Sequence, residues 1–304
     1  MRRLTAFITL GRPLFLVGGF VMHALGVAMA LYSGATLNLA ALLWGQIAIS
    51  ATQWMTHYSN DYFDLQADRA NRTPTHWSGG SRVLLKGEIP PRAALIMAEA
   101  FAAAAVIAGF VLAVFVGTAA LTMPLIGLAL LLAWFYSAPP LRLHSRGLGE
   151  LTTAVLVPGL APLTGFYLQA GRLDVLPLLA ILPLCCFQFC MLLAIEFPDA
   201  EGDRAAGKRT LVVRLGTQRA ARLYCIVLIG AFAALPLLVL AGLPPFVALL
   251  VGLTALLALV QLWRVKRGDD QKPERWNSFA FLSIALLFAA ALLEVAAFVV
   301  LIGI

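Results

Sequence analysis

The sequence predicts an all-α polytopic membrane protein: nine transmembrane helices in one bundle, a 4+4 parallel repeat plus one helix, as a single domain over residues 1–304. Three observations predict it. Apolar runs have spanning length, basic residues alternate with those runs, and two acidic segments echo each other. Hydrophobic residues make up 61% of the chain and charged residues 12%, against roughly 25% charged in a soluble domain. A spanning helix takes about 20 apolar residues. Nine of them fill roughly 180 of the 304 positions, which leaves no room for a separate soluble domain.

The first run, 13–32, begins within MRRLTAFITLGRPLFLVGGFVMHALGVAMA, residues 1–30. Its basic start and AMA ending resemble a signal peptide, but Arg12 and Pro13 interrupt the apolar stretch and many spans follow. It reads as an uncleaved first span. The second run, 39–58, ends in the polar segment HYSNDYFDLQAD. The third and fourth, 93–116 and 119–137, meet at Gly117-Thr118, a connection so short that they must be antiparallel neighbours. The fifth and sixth, 151–170 and 175–197, enclose Arg172. The seventh and eighth, 221–242 and 244–264, turn at Gly242-Leu243-Pro244, and 279–302 closes the chain.

With nine spans, every one of the 22 Lys and Arg residues except Arg172 falls on one side. The positive-inside bias then sets an integral protein of the inner (cytoplasmic) membrane, with its amino terminus in the cytoplasm and its carboxyl terminus outside. The net charge of +7 thus reports orientation in lipid and implies no nucleic acid partner. The basic run 264–275 reads as a solvated loop near the anionic leaflet. Cys185, Cys186, Cys190 and Cys225 lie inside apolar runs and read as packing residues.

Charge is concentrated at two places. Asp61, Asp64 and Asp68 close the second span, and Glu196, Asp199 and Asp203 close the sixth with the same spacings of three and four. Both sets fall on the cytoplasmic side, four spans apart, which is the basis of the parallel repeat. Residues at i, i+3 and i+7 share one helical face, so each triplet aims three carboxylates one way; Pro198 disturbs the register of the second set. Two facing carboxylate clusters repel unless cations lie between them. Magnesium suits such a place, being held by a few carboxylates plus water and phosphate oxygens. Bases follow each cluster: Arg82 and Lys86 after the first, Arg204, Lys208 and Arg209 after the second. Carboxylates, a divalent metal and basic groups make a diphosphate site. At a membrane face, the economical ligand is a prenyl diphosphate whose tail lies in the bundle. Metal and bases would stabilise the departing diphosphate while an electron-rich acceptor captures the allylic cation. Tyr62, Phe63, Trp77 and Tyr136 are aromatic candidates to support that cation.

NDYFDLQAD at 60–68 and DAEGD at 199–203, running into GKRTL, resemble the two aspartate-rich motifs of the UbiA-type intramembrane prenyltransferase superfamily. GRP at 11–13 and YSAPPLRLHSRGLGE at 136–150 look like that family too, and the agreement covers nearly the whole chain. The resemblance implies a nine-helix bundle with a cytoplasm-facing cavity and magnesium-dependent prenyl transfer to a lipophilic acceptor. Carried over by position, Asn60, Asp61, Asp64, Asp68, Asp199 and Asp203 would serve the magnesium–diphosphate complex, with Glu196 where relatives often have aspartate or asparagine. Arg12 resembles an arginine that faces the cavity. Where many members carry a lysine this chain has Pro140, and Arg142 stands in for it. WSGGSRVLLKG at 77–87 and YSAPPLRL look closest to the menaquinone branch, which prenylates 1,4-dihydroxy-2-naphthoate; 4-hydroxybenzoate is the next choice of acceptor. A glyceryl phosphate, a porphyrin-type alcohol or another quinone precursor stays open.

Four residues and one loop carry secondary expectations. His57 shares the face of Asp61 and either touches the site or is a packed histidine, and His23 bonds a neighbouring helix. Glu99 is expected to reach the cavity. Glu294, mid-span, is protonated, paired or at a helix contact. The loop 59–92 is a candidate lid. The non-enzyme alternative, a secondary transporter, would hold its charged groups near the midplane on interrupted helices; here they gather at one face. The expected partners are therefore a prenyl diphosphate, an aromatic acceptor and membrane lipid.

Overall fold

The computed structural model describes residues 2–303, and among them every regular element is helical. α1 (Arg2–Leu10) buries Ala6 and Leu10 and exposes Leu4 and Ile8, the pattern of a helix lying along a surface. The chain turns at Gly11 and Arg12, and α2 (Pro13–Tyr32) begins on Pro13, whose missing N–H is harmless in a first turn. α3 (Leu39–Phe63) is capped by Asn38, which accepts from the Ala41 N–H at 3.0 Å. α3 extends past the expected end at 58, so Asn60 and Asp61 are helical. The short α4 (Leu65–Ala70) follows directly.

α5 (Pro91–Val111) widens into a π turn, Leu112–Val116, and stops at left-handed Gly117. It is followed by α6 (Thr122–Ser137). α7 (Gly149–Ala154) runs through a π segment containing Pro158, which lacks the N–H of regular α bonding, into α8 (Ala161–Ala170). α9 (Val175–Glu196) is capped by Asp174. Then come α10 (Ala200–Ala205), α11 (Leu211–Leu215) and α12 (Thr217–Leu240). α13 (Pro245–Leu253) and α14 (Ala255–Lys266) are bent by 41° at Thr254, and α15 (Pro273–Ile302) ends the bundle.

Each predicted apolar run falls on a helix. Among the described residues six helices are long and apolar enough to cross a membrane, seven if the bent α13–α14 pair counts as one. α3 misses that measure because it carries Gln46, Gln53 and the polar stretch from His57. α6 misses it on length, with 16 residues, or about 24 Å against a hydrocarbon core of about 30 Å. The outer surface is apolar: Leu240 is 84% exposed and Leu256 73%. Such a surface needs hydrocarbon around it, and the chain is an integral membrane protein.

Glycine lets α2 and α8 approach closely. A Cβ on Gly26 of α2 would stand 2.0 Å from the Pro162 carbonyl oxygen, and one on Gly165 of α8 would stand 2.8 Å from that of His23. His23 is bonded to Gln46 of α3 (3.1 Å), as expected. Phe187, Tyr224 and Phe279 fill the core between α9, α12 and α15, where Gln261 donates to Ser283 (2.7 Å) and the Phe279 carbonyl (2.9 Å).

Two expectations need correcting. Glu99 lies exposed on α5, on the face away from the bundle interior. The segment 264–275 is not wholly a solvated loop: Arg264 is buried, donating to Asp269 (2.9 Å) and Ser278 (2.8 Å) in a closed corner. Glu294 is buried in the bundle with Oε2 unpartnered.

Candidate active site

The two acidic segments meet. α4 and α10, each six residues long, follow the ends of α3 and α9 and pack on each other. Neither triplet lies on one continuous helix, contrary to the face argument. At Asp64 the bonding still steps by four, with the Asp68 N–H donating to the Asp64 carbonyl at 2.9 Å. At Pro198 it tightens, with the Asp199 N–H donating to the Glu196 carbonyl at 3.1 Å. The break at Asp64 bends the first triplet slightly; the second is turned by the proline.

Lys208 joins the two segments. Its Nζ lies 3.3 Å from Asp64 and 3.1 Å from Asp203. Asp64 also accepts from Asn60 (2.8 Å) and lies 3.0 Å from His144 Nε2. His144 Nδ1 donates to the Tyr136 carbonyl at 2.6 Å, and its ring stacks on that of Tyr136 with centroids 4.9 Å apart. Asp61 pairs with Arg12, which reaches it from the turn between α1 and α2.

The segment 71–82 straps both clusters together. Asn71 donates to Asp199 at 2.7 Å and the Gly79 N–H donates to the same carboxylate at 3.1 Å. The Ser81 hydroxyl and N–H donate to Asp61. Gly80 has φ 72°, and a Cβ there would stand 2.1 Å from Asp68 Oδ2. Arg82 Nη1 donates to the Asp68 carbonyl at 2.8 Å. The residues expected to form a free lid are thus bonded to the acids.

Of the predicted residues, the structure gathers Arg12, Asn60, Asp61, Asp64, Asp68, Arg82, Tyr136, Glu196, Asp199, Asp203 and Lys208 in this region. Three bases stand apart. Lys86 is exposed with no ion pair among the described residues; Arg209 is exposed and bonds the Ser145 carbonyl through its backbone N–H; Arg142 is exposed, 3.5 Å from the Phe63 carbonyl. His144, Asn71, Ser81, Gly79 and Glu150 were missed. Glu150, 1% exposed, faces the Glu196 carboxyl beneath His144. HSRGLGE and WSGGS contain four of the five, so family likeness of those segments was the available signal.

The balance of charge is uneven. Burial works to raise the Asp64 carboxyl, but His144 and Lys208 hold it below the usual carboxylate range. Burial and the charges of Asp64 and Asp61 push Asp68 up to about 7, and burial pushes Asp199 up to about 6 against the Ser78 and Gly79 donors. Lys208 is pushed upward, its two carboxylates outweighing its own burial. The cations present, Arg12 and Lys208, do not offset the burial of these carboxyls. Among the described residues no three His, Cys, Asp or Glu side chains converge on one point. That donor set fits a magnesium ion that takes one or two carboxylates and completes its shell with water and phosphate oxygens.

Below the acids lies a cavity of about 260 Å³. Arg12, His57, Asn60, Trp77 and Tyr136 line it at the acidic end, and α2, α3, α6, α8, α9 and α15 contribute its apolar walls. Arg12 is the one Lys or Arg among its lining residues.

The profile of the UbiA prenyltransferase family matches residues 20–287. The chain is 32% identical over 252 residues to a 1,4-dihydroxy-2-naphthoate octaprenyltransferase of Escherichia coli, covering 77% of this chain and 76% of that one. It is 29% identical over 218 residues to a digeranylgeranylglyceryl phosphate synthase of Pyrococcus abyssi, 71% of each. A 2-carboxy-1,4-naphthoquinone phytyltransferase of Synechocystis is 28% identical, and there the match spans 58% of this chain and only 57% of the relative. A UbiA homolog from Archaeoglobus fulgidus, solved bound to GPP and Mg2+, has the same fold, with a TM-score of 0.66 at 17% identity over 98% of this chain and all of that one.

Proposed function

The chain belongs to the UbiA prenyltransferase family, and from that premise we propose that it transfers a prenyl group from a prenyl diphosphate to a small aromatic acid, 1,4-dihydroxy-2-naphthoate, in the manner of the menaquinone branch. The observation that carries this reading is the junction of the two acidic segments with an apolar cavity lined by a single guanidinium. A diphosphate belongs at the junction and its hydrocarbon in the cavity. An acceptor of low charge suits a wall whose only Lys or Arg is already paired with Asp61. 4-Hydroxybenzoate meets the same condition. The second reading, a glyceryl phosphate acceptor, is favoured by the Pyrococcus relative.

In this mechanism Asp61, Asp64, Asp68, Asp199 and Asp203, with Asn60 and Glu196, are the residues that would hold magnesium. Magnesium held there would supply charge neutralisation for the departing diphosphate. Lys208, which spans both segments, Arg12, paired with Asp61, and Arg82, bonded to the Asp68 carbonyl, are the protein cations at the acids. Tyr136, held by its stack on His144 and lining the cavity, offers its ring face to the allylic cation. The buried walls keep water from competing with the acceptor. Lys86, Arg142 and Arg209 are exposed and stand apart from the acids, and a role for them requires movement of the side chain toward the ligand.

The same reading includes nine membrane crossings, cytoplasmic acids and amino terminus, and an external carboxyl terminus. It is supported by the one-sided distribution of Lys and Arg. The parallel repeat is supported by the matched lengths of α4 and α10.

The test is product formation by purified protein in nanodiscs. Geranylgeranyl diphosphate is supplied with each aromatic acid, or with geranylgeranylglyceryl phosphate, in magnesium or EDTA, and products are read by mass spectrometry. The expected result is a magnesium-dependent adduct of the naphthoate, abolished in Asp64→Ala and Asp199→Ala proteins that remain folded and inserted. An adduct only of the glyceryl phosphate would select the second reading.

A further inference from the structure

Joining a hydroxylated ring to an allylic carbon leaves a proton to be moved, because the hydroxyl turns toward a carbonyl as the new bond forms. A side chain placed to take that proton speeds such a step about 10²–10⁴-fold. Among the described residues that line the cavity there is no Asp, Glu, Lys or Cys. Arg12 and Tyr136 line it, but a guanidinium has no proton-accepting site and a phenol keeps its own proton near neutral pH. His57 is the one lining side chain suited to accept a proton there.

Its placement fits that task. On α3 it stands four residues before Asp61, so it shares that face about 6 Å deeper in the bundle. Its ring packs on Phe15 of α2, with centroids 6.0 Å apart, and Phe15 meets Trp77 edge to face at 6.2 Å. Aromatic neighbours therefore hold the imidazole, and hydrogen bonds do not. His57 is half-buried. Its ring nitrogens make no hydrogen bond among the described residues, and neither is sealed away from open space. The open space beside them is the cavity that His57 lines. His144, also near the acids, has both nitrogens engaged, by the Tyr136 carbonyl and by Asp64, and lies outside the lining. The carboxylates above are engaged too, Asp61 by Arg12 and Ser81, and Asp64 by Lys208.

Resting on the reading of an aromatic acceptor given above, we propose that His57 is the general base of the transfer, taking the proton of an acceptor hydroxyl. A diphosphate head at the acids puts the allylic carbon just beneath them, at the level where His57 opens on the cavity. The ring carbon beside the hydroxyl bonds the allylic carbon, and the breaking C–O bond leaves its electron pair with the diphosphate. The hydroxyl proton passes to the free nitrogen of His57, and the O–H pair goes into a ring carbonyl. The attacked carbon then gives up its hydrogen as a proton to the diphosphate, or its carboxylate as carbon dioxide. The released pair restores the aromatic ring and leaves an oxyanion, which recovers the proton from His57.

His57→Gln keeps a polar side chain and removes the base, while His57→Ala leaves room for an added one. Both are assayed in nanodiscs with saturating magnesium, 1,4-dihydroxy-2-naphthoate and geranylgeranyl diphosphate. The rate of a single turnover should fall about a hundredfold in each. The KM of either substrate should stay within twofold, which also reports an intact fold. Added imidazole should speed His57→Ala at least tenfold, in proportion to its concentration. Pyrazole, of the same shape but scarcely basic, should restore nothing, and His57→Gln should respond to neither. Equal rescue by the two, or rescue by neither, would make His57 a packing residue and overturn the proposal. A His57→Gln rate within threefold of wild type would assign the proton to the departing diphosphate and overturn it as well, with aromatic prenylation still in place. A wild-type protein that forms no aromatic adduct would remove the acceptor reading itself, and the base with it.

Discussion

Lys208 holds two carboxylates from segments far apart in the sequence, Asp64 and Asp203, within 3.3 Å and 3.1 Å of one ammonium group. Lys208→Met removes that charge and leaves Asp203 without a cation. Breaking one side of a buried pair costs about 3–5 kcal/mol, and with the Lys208 side chain 15% exposed the lower end applies. In EDTA the variant should melt several degrees below wild type, and magnesium should restore part of the loss by filling the same charge deficit. A loss equal with and without magnesium would put the metal elsewhere. Asp68 and Asp199 give the matching pH dependence. Their folded values, about 7 and about 6, lie above the ordinary aspartate range. These two groups contribute stability that is full in acid, below the ordinary aspartate range, and is lost as pH rises through 6 to 7, while Asp64, held low, contributes in the opposite direction. Burial first, then Asp64 and Asp61, drive Asp68 upward, while Arg12 and Lys208 oppose it. Magnesium must displace the protons of Asp68 and Asp199, so the magnesium concentration for half-maximal activity should be several-fold higher at pH 6 than at pH 8. A requirement independent of pH would refute this.

At the scale of elements, the strap from Asn71 to Arg82 fixes the distance between the two acidic segments. Gly80 is its tightest point. Gly80→Ala forces a side chain into the left-handed region, at roughly 1–2 kcal/mol, and drives its Cβ onto Asp68. Gly87 is the internal control, also left-handed at φ 69° but with no atom within 4 Å of an added Cβ. Both alanines meet the same backbone strain, so activity at least tenfold lower in Gly80→Ala than in Gly87→Ala measures the contact alone; equal activities would remove the strap from the mechanism. This element also marks the limit of what the sequence discloses. The aspartates were legible because their spacing is repeated, and the helices because their apolar runs are long. The strap contributes backbone N–H groups and left-handed turns, which leave only glycines and serines as traces. Lys86 and Arg209 follow the acids along the chain and Arg142 stands in for a family lysine, yet all three side chains are exposed. The bend at Asp64 has no breaker residue to announce it, whereas Pro198 did announce its own.

The whole molecule joins an apolar exterior to one charged end. α2, α3, α8, α9 and α15 surround the cavity, and its only strongly charged wall is the end where α4 and α10 meet. A substrate with a diphosphate head and a hydrocarbon tail then has one orientation, with the head at the acids and the tail toward the bilayer interior. In the proposed nine-span arrangement Arg172 is the one basic residue of the sequence set apart from the others, and this arrangement puts the head on the cytoplasmic side. In a background where Cys185, Cys186, Cys190 and Cys225 are replaced by alanine, Arg172→Cys and Lys86→Cys test it, since both side chains are exposed. A membrane-impermeant maleimide added to intact cells should label Arg172→Cys at once and Lys86→Cys only after permeabilisation. The reverse pattern would put the acids, and the diphosphate, on the outside. Labelling of both from outside would break the alternation of spans between residues 86 and 172 and with it the nine-crossing arrangement.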